Sequence, residues 1–270
     1  MPARSDGPGA APPAAAASPA SPSAPASPAS PSPVISAQVV LATEAGTPGW
    51  PNEDFAAVGP GAAVLLDGAT TIPRGTDTGC QHGVAWYAAA LGATYLAAIT
   101  ATPPVPLGSA LAESIADVRA RHEATCDLTS PATPAATVTA LRAEPGGVAY
   151  LALSDSTVAA DYGPGLPPVI ITDPHRAAGA DPGVAARART GILPLDGLRA
   201  VALLSDGAAR ITDKFGLLGW PAVLEILRTA GPAELISQVR QAEASDPDAE
   251  RWPRIKLKDD ATALWWPLTD

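Results

Sequence analysis

The run Ala63-Val64-Leu65-Leu66-Asp67-Gly68 decides the fold, together with its counterpart Ala202-Leu203-Leu204-Ser205-Asp206-Gly207. Each reads as a short, continuously apolar strand with a carboxylate at its tip. A carboxylate at the end of a buried strand is costly unless it is ion-paired, hydrogen-bonded or bound to a metal. Two further acidic sites have the same character: Asp54 follows Asn52-Glu53, and Asp259-Asp260 opens the final apolar run Ala261–Trp266. Lysines that could neutralise them are few: Lys214, Lys256 and Lys258. Several acids with so few cations point to hard, oxygen-seeking divalent ions, Mg²⁺ or Mn²⁺. A lone Asp-Gly reads as a turn, but two strand-tip copies and an acidic pair favour metal binding.

Working outward, strands are expected at Val34–Ala42, Phe55–Val58 and Ala62–Leu66, with a turn-rich loop over Thr47–Asn52. The period then changes. Cys80–Thr100 places Val84, Tyr87, Ala88, Leu91, Thr94, Tyr95 and Ala98 on one face, and Leu111–Cys126 does the same with Leu111, Ile115, Val118 and His122, so both read as helices. Strands return at Ala136–Ala143, Gly147–Leu153, Thr157–Tyr162, Val169–Thr172 and Leu198–Leu204. Helices follow Pro221 and Pro232, over Ala222–Thr229 and Ala233–Ala242, before the last strand. This order does not alternate as parallel βαβ units would, so an α+β sandwich is expected. In the last strand, one of Trp265 and Trp266 should pack in the core and the other face the helix layer or solvent.

Residues 8–33 are Ala, Pro and Ser apart from Gly9, with no large side chain to offset the entropy of ordering. Residues 1–33 are therefore expected to be a disordered, extended tail, and 34–270 a single domain. The net charge of −10 argues against a phosphate-backbone binder. The start of the chain lacks the apolar run of a secretory leader, and no stretch reads as a membrane anchor, so a cytoplasmic location is expected. Cys80 and Cys126 form no Cys-x-x-Cys pair and no His stands at zinc spacing, which argues against a zinc knuckle or a disulfide framework. Two readings remain for them: buried thiols, or a bridge between neighbouring helices. With no Gly-x-Ser-x-Gly elbow, His82, His122 and His175 read as structural or exposed. No nucleotide-binding Gly-rich loop follows a strand.

The chain resembles the metal-dependent serine/threonine protein phosphatases of the 2C type. The resemblance rests on Asn52-Glu53-Asp54, Ala63 to Gly68, Ala136-Thr137-Val138 through Tyr150 to Ser156, Ala202 to Gly207, and Asp259-Asp260-Ala261-Thr262, in the family's order and over about Ile35 to Leu268. It implies a four-layer α/β/β/α sandwich with two central antiparallel sheets. It also implies two Mn²⁺ or Mg²⁺ ions at one end of them. Residue by residue, it implies Asp67 as the carboxylate bridging both ions, the Gly68 carbonyl on one of them, and Asp206 and Asp259 on the other. Glu53 and Asp54 would hold metal-bound waters, and Asp155 a third, weaker ion. The implied reaction is direct attack of water on a phosphoserine or phosphothreonine protein, or a small phosphoester, with no covalent enzyme intermediate.

The departures bear on activity. Where the family carries an Arg that clamps the substrate phosphate, this sequence has Gly49. Ala69-Thr70-Thr71-Ile72 lacks the family's His, and the usual Gly-Asp-Ser-Arg is Ser154-Asp155-Ser156-Thr157. Arg74 and Arg210 are candidate substitutes for the clamp, weighed against the reading that both are solvated surface arginines. The alternative function is a catalytically impaired relative that keeps the fold as a binding or regulatory module.

Overall fold

The computed structural model describes Met1 and residues 38–69, 78–173 and 179–268. Most of the expected N-terminal tail, together with Arg74 and His175, lies outside the described residues. The strands are β1 (Val40–Glu44), β2 (Asp54–Gly59), β3 (Ala62–Ala69), β4 (Ala135–Ala136), β5 (Val138–Glu144) and β6 (Gly147–Leu153). They continue as β7 (Thr157–Asp161), β8 (Val169–Ile171), β9 (Arg189–Pro194), β10 (Ala200–Leu204) and β11 (Ala261–Pro267). The α-helices are α1 (Gly83–Thr100), α2 (Leu107–His122), α3 (Asp206–Asp213), α4 (Trp220–Thr229) and α5 (Pro232–Ser245).

Two sheets form. One runs β1-β11-β10-β7-β8, the other β2-β3-β5-β6-β9 with β4 added beside β3, and every pairing is antiparallel. The period of two along each strand then builds four layers. In β3, Ala62, Val64 and Leu66 pack under α1 and α2, whereas Ala63 and Leu65 face the other sheet. In β10, Ala200, Ala202 and Leu204 pack under α3, α4 and α5, and Val201 and Leu203 face inward. Both faces of the central strands are covered, which is why these runs show no polar alternation. Each large aliphatic side chain so buried contributes about 1.5–3 kcal/mol. The two tryptophans divide as expected, Trp265 under the helices and Trp266 between the sheets.

Helix α1 has the length and hydropathy of a membrane span, but Tyr87, Leu91, Tyr95 and Ile99 are spent against the sheet and α2. Its partner α2 begins at Leu107, ahead of the expected start, and ends at His122, so Cys126 lies beyond the helix. Cys80 likewise precedes α1. Both thiols are free and partly exposed, which corrects the expectation of fully buried thiols or a bridge between helices. His122, by contrast, is wholly buried.

Three elements escaped the sequence reading, the first being a short 3-10 helix at Pro182–Arg187. Strand β9 is an edge strand in which only Leu193 is buried, so Arg189, Thr190 and Gly191 give it no apolar run. Helix α3 starts on the very Asp206-Gly207 that reads as a turn. An added Cβ on Gly207 would overlap the Asp260 carbonyl, so glycine lets α3 start against the segment that enters β11. Asp67 is also not terminal: β3 continues through Gly68 and Ala69, paired there with β4.

Candidate active site

The same alternation that builds the layers aims the acids. Asp54 and Asp67 are directly opposed across β2 and β3, at positions whose parity faces the gap between the sheets. On the facing sheet, Ser205 follows the last residue of β10 and Thr262 lies in β11. The Ser205 backbone N–H donates to the Thr262 carbonyl at 2.9 Å, and the Thr262 N–H donates to Ser205 Oγ at 2.9 Å. That lock fixes where Asp206 leaves the sheet, in the first turn of α3, where the helix N-terminus favours an anion. Asp260 closes the site from behind: its carboxylate accepts from the Gly46 N–H at 2.7 Å and the Glu53 N–H at 2.9 Å. Gly68 donates its N–H to the Glu53 carbonyl at 3.0 Å. A Cβ on Gly68 would meet that same carbonyl oxygen at 2.6 Å, so the bulk of any other residue would push the two strands apart there.

The result is a buried carboxylate cluster. Both oxygens of Asp54 are sealed from water and make no hydrogen bond of ordinary geometry. Burial, assisted by the charges of Asp260 and Asp206, pushes the Asp54 carboxyl up to about 7; the nearby hydroxyls of Thr262 and Ser205 oppose the shift only in part. Burial also raises Asp67 well above the carboxylate range, with Asp54, Asp206 and Asp259 adding to it. Asp206 is raised by burial and by Asp259. Glu53, Asp67, Gly68, Asp155 and Asp206 line a cleft of about 1010 Å³ at this end of the sheets. Sealed, partnerless carboxylate oxygens beside mutually repelling acids are what a hard divalent cation would satisfy, so the residues present fit the ion type expected from the sequence.

Asp259 has a different environment. One oxygen accepts from Arg210 at 2.8 Å, and the other from Lys256 at 2.7 Å and from the Asp260 N–H at 3.1 Å. Arg210 is buried and also holds Glu243 at 2.7 Å. It is therefore neither a solvated surface arginine nor a side chain lining the cleft, which corrects its reading as a phosphate clamp. Gly49 has open space around it but a φ of +81°, a conformation an arginine would resist. Ser154, where the resemblance expects Gly, adopts a φ of +71° and presents Asp155 to the cleft.

Sequence reasoning counted Lys256 and Lys258 only as scarce counter-charges and gave them no place in the site. Lys256, Lys258 and Arg254 line the cleft. Arg254 is consumed in holding the loop, through Asp246 at 2.6 Å and the Leu257 carbonyl at 2.9 Å. Although burial opposes it, the carboxylates of Asp259, Asp67 and Asp206 hold Lys256 up at about 12. The signal was the cluster Arg254-Ile255-Lys256-Leu257-Lys258 directly before Asp259, in a chain otherwise poor in lysine.

The raised carboxyls make stability depend on pH. Because Asp54, Asp67 and Asp206 release their protons later in the fold than in the unfolded chain, their contribution is complete below pH 3.8 and is lost as pH rises through their raised folded values, which for Asp54 is about 7. For Asp54 alone, the shift from 3.8 to about 7 corresponds to about 4 kcal/mol. Thermal unfolding with EDTA should show a melting temperature that falls between pH 5 and 8, and Mn²⁺ at the upper pH should restore it. A melting temperature that stays flat or rises over that interval in EDTA would contradict the cluster's electrostatics.

The chain belongs to the protein phosphatase 2C family, whose profile matches residues 45–241. Among solved structures it is similar to a bacterial serine phosphatase, with a TM-score of 0.60 at 15% identity over 88% of this chain and 100% of that one. PppA, described as a key regulatory component of T6SS in Pseudomonas aeruginosa, aligns with a TM-score of 0.59 at 17% identity, over 86% of this chain and 97% of that one. The catalytic domain of the serine threonine protein phosphatase PstP, solved with two manganese ions, aligns with a TM-score of 0.59 at 15% identity, over 86% and 98%. No curated protein sequence matches the chain. These likenesses agree with the two antiparallel sheets flanked by helices.

Proposed function

We propose that the chain is a metal-dependent phosphomonoester hydrolase acting on phosphoserine and phosphothreonine. The observation that carries this is the convergence of Asp54, Asp67, Asp206 and Asp259 at one end of the sheets, where burial and their mutual repulsion raise the carboxyls of Asp54, Asp67 and Asp206. Asp67, the Gly68 carbonyl, Asp206 and Asp259 would hold two Mn²⁺ or Mg²⁺ ions, Glu53 and Asp54 would act through water, and Asp155 would serve a weaker third ion. The two manganese ions of PstP support the count. Bound cations would neutralise charge on the phosphoryl oxygens and supply an acidified water. Lys256 and Lys258 would draw the phosphate into the cleft, in place of the arginine that Gly49 replaces. A phosphothreonine peptide incubated with the protein and Mn²⁺ should release inorganic phosphate. No release at any Mn²⁺ concentration would favour the impaired module.

That second reading has one specific observation behind it: Arg210 and Lys256 already neutralise Asp259. If Lys256 competes with a cation for this carboxylate, Lys256→Ala should lower the Mn²⁺ concentration for half-maximal turnover several-fold while raising KM for the phosphoester. A Mn²⁺ requirement unchanged in Lys256→Ala would mean that the lysine does not compete.

A further inference from the structure

Away from the acid cluster, the fold gathers four side chains that the sequence reading had treated separately. Cys80 and His82 lie just ahead of α1; His122 ends α2, and Cys126 follows it. A potential ligand atom from each of the four lies within 4.8 Å of the others. The thiols are 3.1 Å apart, Cys80 Sγ is 3.5 Å from His122 Nδ1, and Cys126 Sγ is 3.4 Å from His82 Nδ1.

From this geometry we infer that Cys80, His82, His122 and Cys126 form a Cys₂His₂ site for Zn²⁺, separate from the acidic centre. The donor set is borderline-soft, which suits zinc and not the hard ions that oxygen clusters take. Tetrahedral zinc with bonds of about 2.3 Å to sulfur and about 2.0–2.1 Å to nitrogen sets its donors roughly 3.3–3.8 Å apart, a spacing that the two sulfur–nitrogen pairs already have and that the thiols would reach by parting slightly. The charges also close. On binding, each thiol gives its proton to solvent, and two thiolates with two neutral imidazoles compensate the dication.

The surroundings support a built site. His122 is wholly buried, and its Nδ1 meets the Cys80 thiol at 3.5 Å. With only a thiol facing Nδ1, it is poorly satisfied as an ordinary core histidine. Trp86 stacks on His82 at 4.2 Å and packs against His122 at 5.2 Å, excluding water from one side. The two chain segments are also tied beside the ligands, Asp127 N–H donating to the Gly79 carbonyl at 2.7 Å. Cys80 itself is held by Thr78, whose hydroxyl accepts from its N–H at 3.1 Å and donates to its carbonyl at 3.0 Å. A zinc ion here would staple the entry to α1 onto the end of α2. The sequence signal, Cys-x-His and His-x-x-x-Cys, is legible only when both halves are seen together.

The test uses the full chain, purified reduced and dialysed without chelator, with metal content measured by mass spectrometry. One zinc per chain is expected, retained in Asp206→Asn and lost in Cys80→Ser/Cys126→Ser. Titration of the zinc-free protein with Co²⁺ should produce thiolate-to-cobalt charge transfer and the intense visible bands of a tetrahedral site, in wild type and in Asp206→Asn alike. In case the double variant fails to fold, an organomercurial titration of wild type supplies the same information: zinc should leave in step with the modification of two thiols. Absence of the cobalt–thiolate spectrum in reduced wild type would overturn the proposal. So would zinc loss in Asp206→Asn, or a Cys80–Cys126 disulfide forming in the presence of equimolar zinc.

Discussion

Asp206→Asn is expected to reduce metal-dependent phosphoester hydrolysis by at least about 100-fold while leaving the fold intact. The size follows from the position of the carboxylate. Groups that merely orient a metal ligand cost about 10- to 100-fold when removed, so a ligand itself should cost no less. The stability of the metal-free protein should move the other way. Asp206 is half-buried, and its loss of water together with the charge of Asp259 raises it, so an uncharged amide of the same shape removes repulsion that the carboxylate must bear above its folded pKa. The melting temperature in EDTA at pH 8 should therefore be higher in Asp206→Asn than in wild type, and the gap should narrow on acidification. Retained turnover would remove Asp206 from the ligand set. Lost turnover with a lower melting temperature would make it a structural residue.

Arg210→Met should have the largest effect on stability. Arg210 is the buried hub between Glu243 and Asp259, at 2.7 Å and 2.8 Å. Breaking such a pair leaves carboxylates buried without their cation, at about 3–5 kcal/mol when no other partner exists. Here Arg240 still holds Glu243 at 2.8 Å and Lys256 still holds Asp259 at 2.7 Å. The lower end, about 3 kcal/mol, is therefore expected, or a fall of roughly 6–12 °C in melting temperature for a domain of this size. A phosphate clamp would behave otherwise, with a higher KM and an unchanged melting temperature. Thermal unfolding and steady-state kinetics on the one variant separate the two.

The architecture was legible because the central strands are buried on both faces. Val64, Leu65 and Leu66, and likewise Ala202, Leu203 and Leu204, carry no polar residue to interrupt the run, and the acids stand out at their ends. Asp54, Asp206 and Asp259 lie near enough to Asp67 for their charges to raise its carboxyl. Strand β9 was not legible, since an edge strand needs few apolar residues, and α3 was hidden by an Asp-Gly pair whose glycine answers to the Asp260 carbonyl in space. The fate of Arg210 was equally hidden. Its partner Glu243 comes from a different helix, and nothing in the local sequence marks an arginine that will be buried. The Cys/His cluster shows the same limit, because its two halves meet only through the packing of α1 on α2.

The most direct test of the account is p-nitrophenyl phosphate turnover by the wild-type chain, measured without added metal, with Mn²⁺, and with Mn²⁺ followed by EDTA. Turnover should appear with Mn²⁺, disappear with EDTA, and in Asp206→Asn with Mn²⁺ be at least about 100-fold lower than in wild type. A wild-type rate no higher than that of Asp206→Asn at saturating Mn²⁺, or a rate indifferent to EDTA, would contradict it.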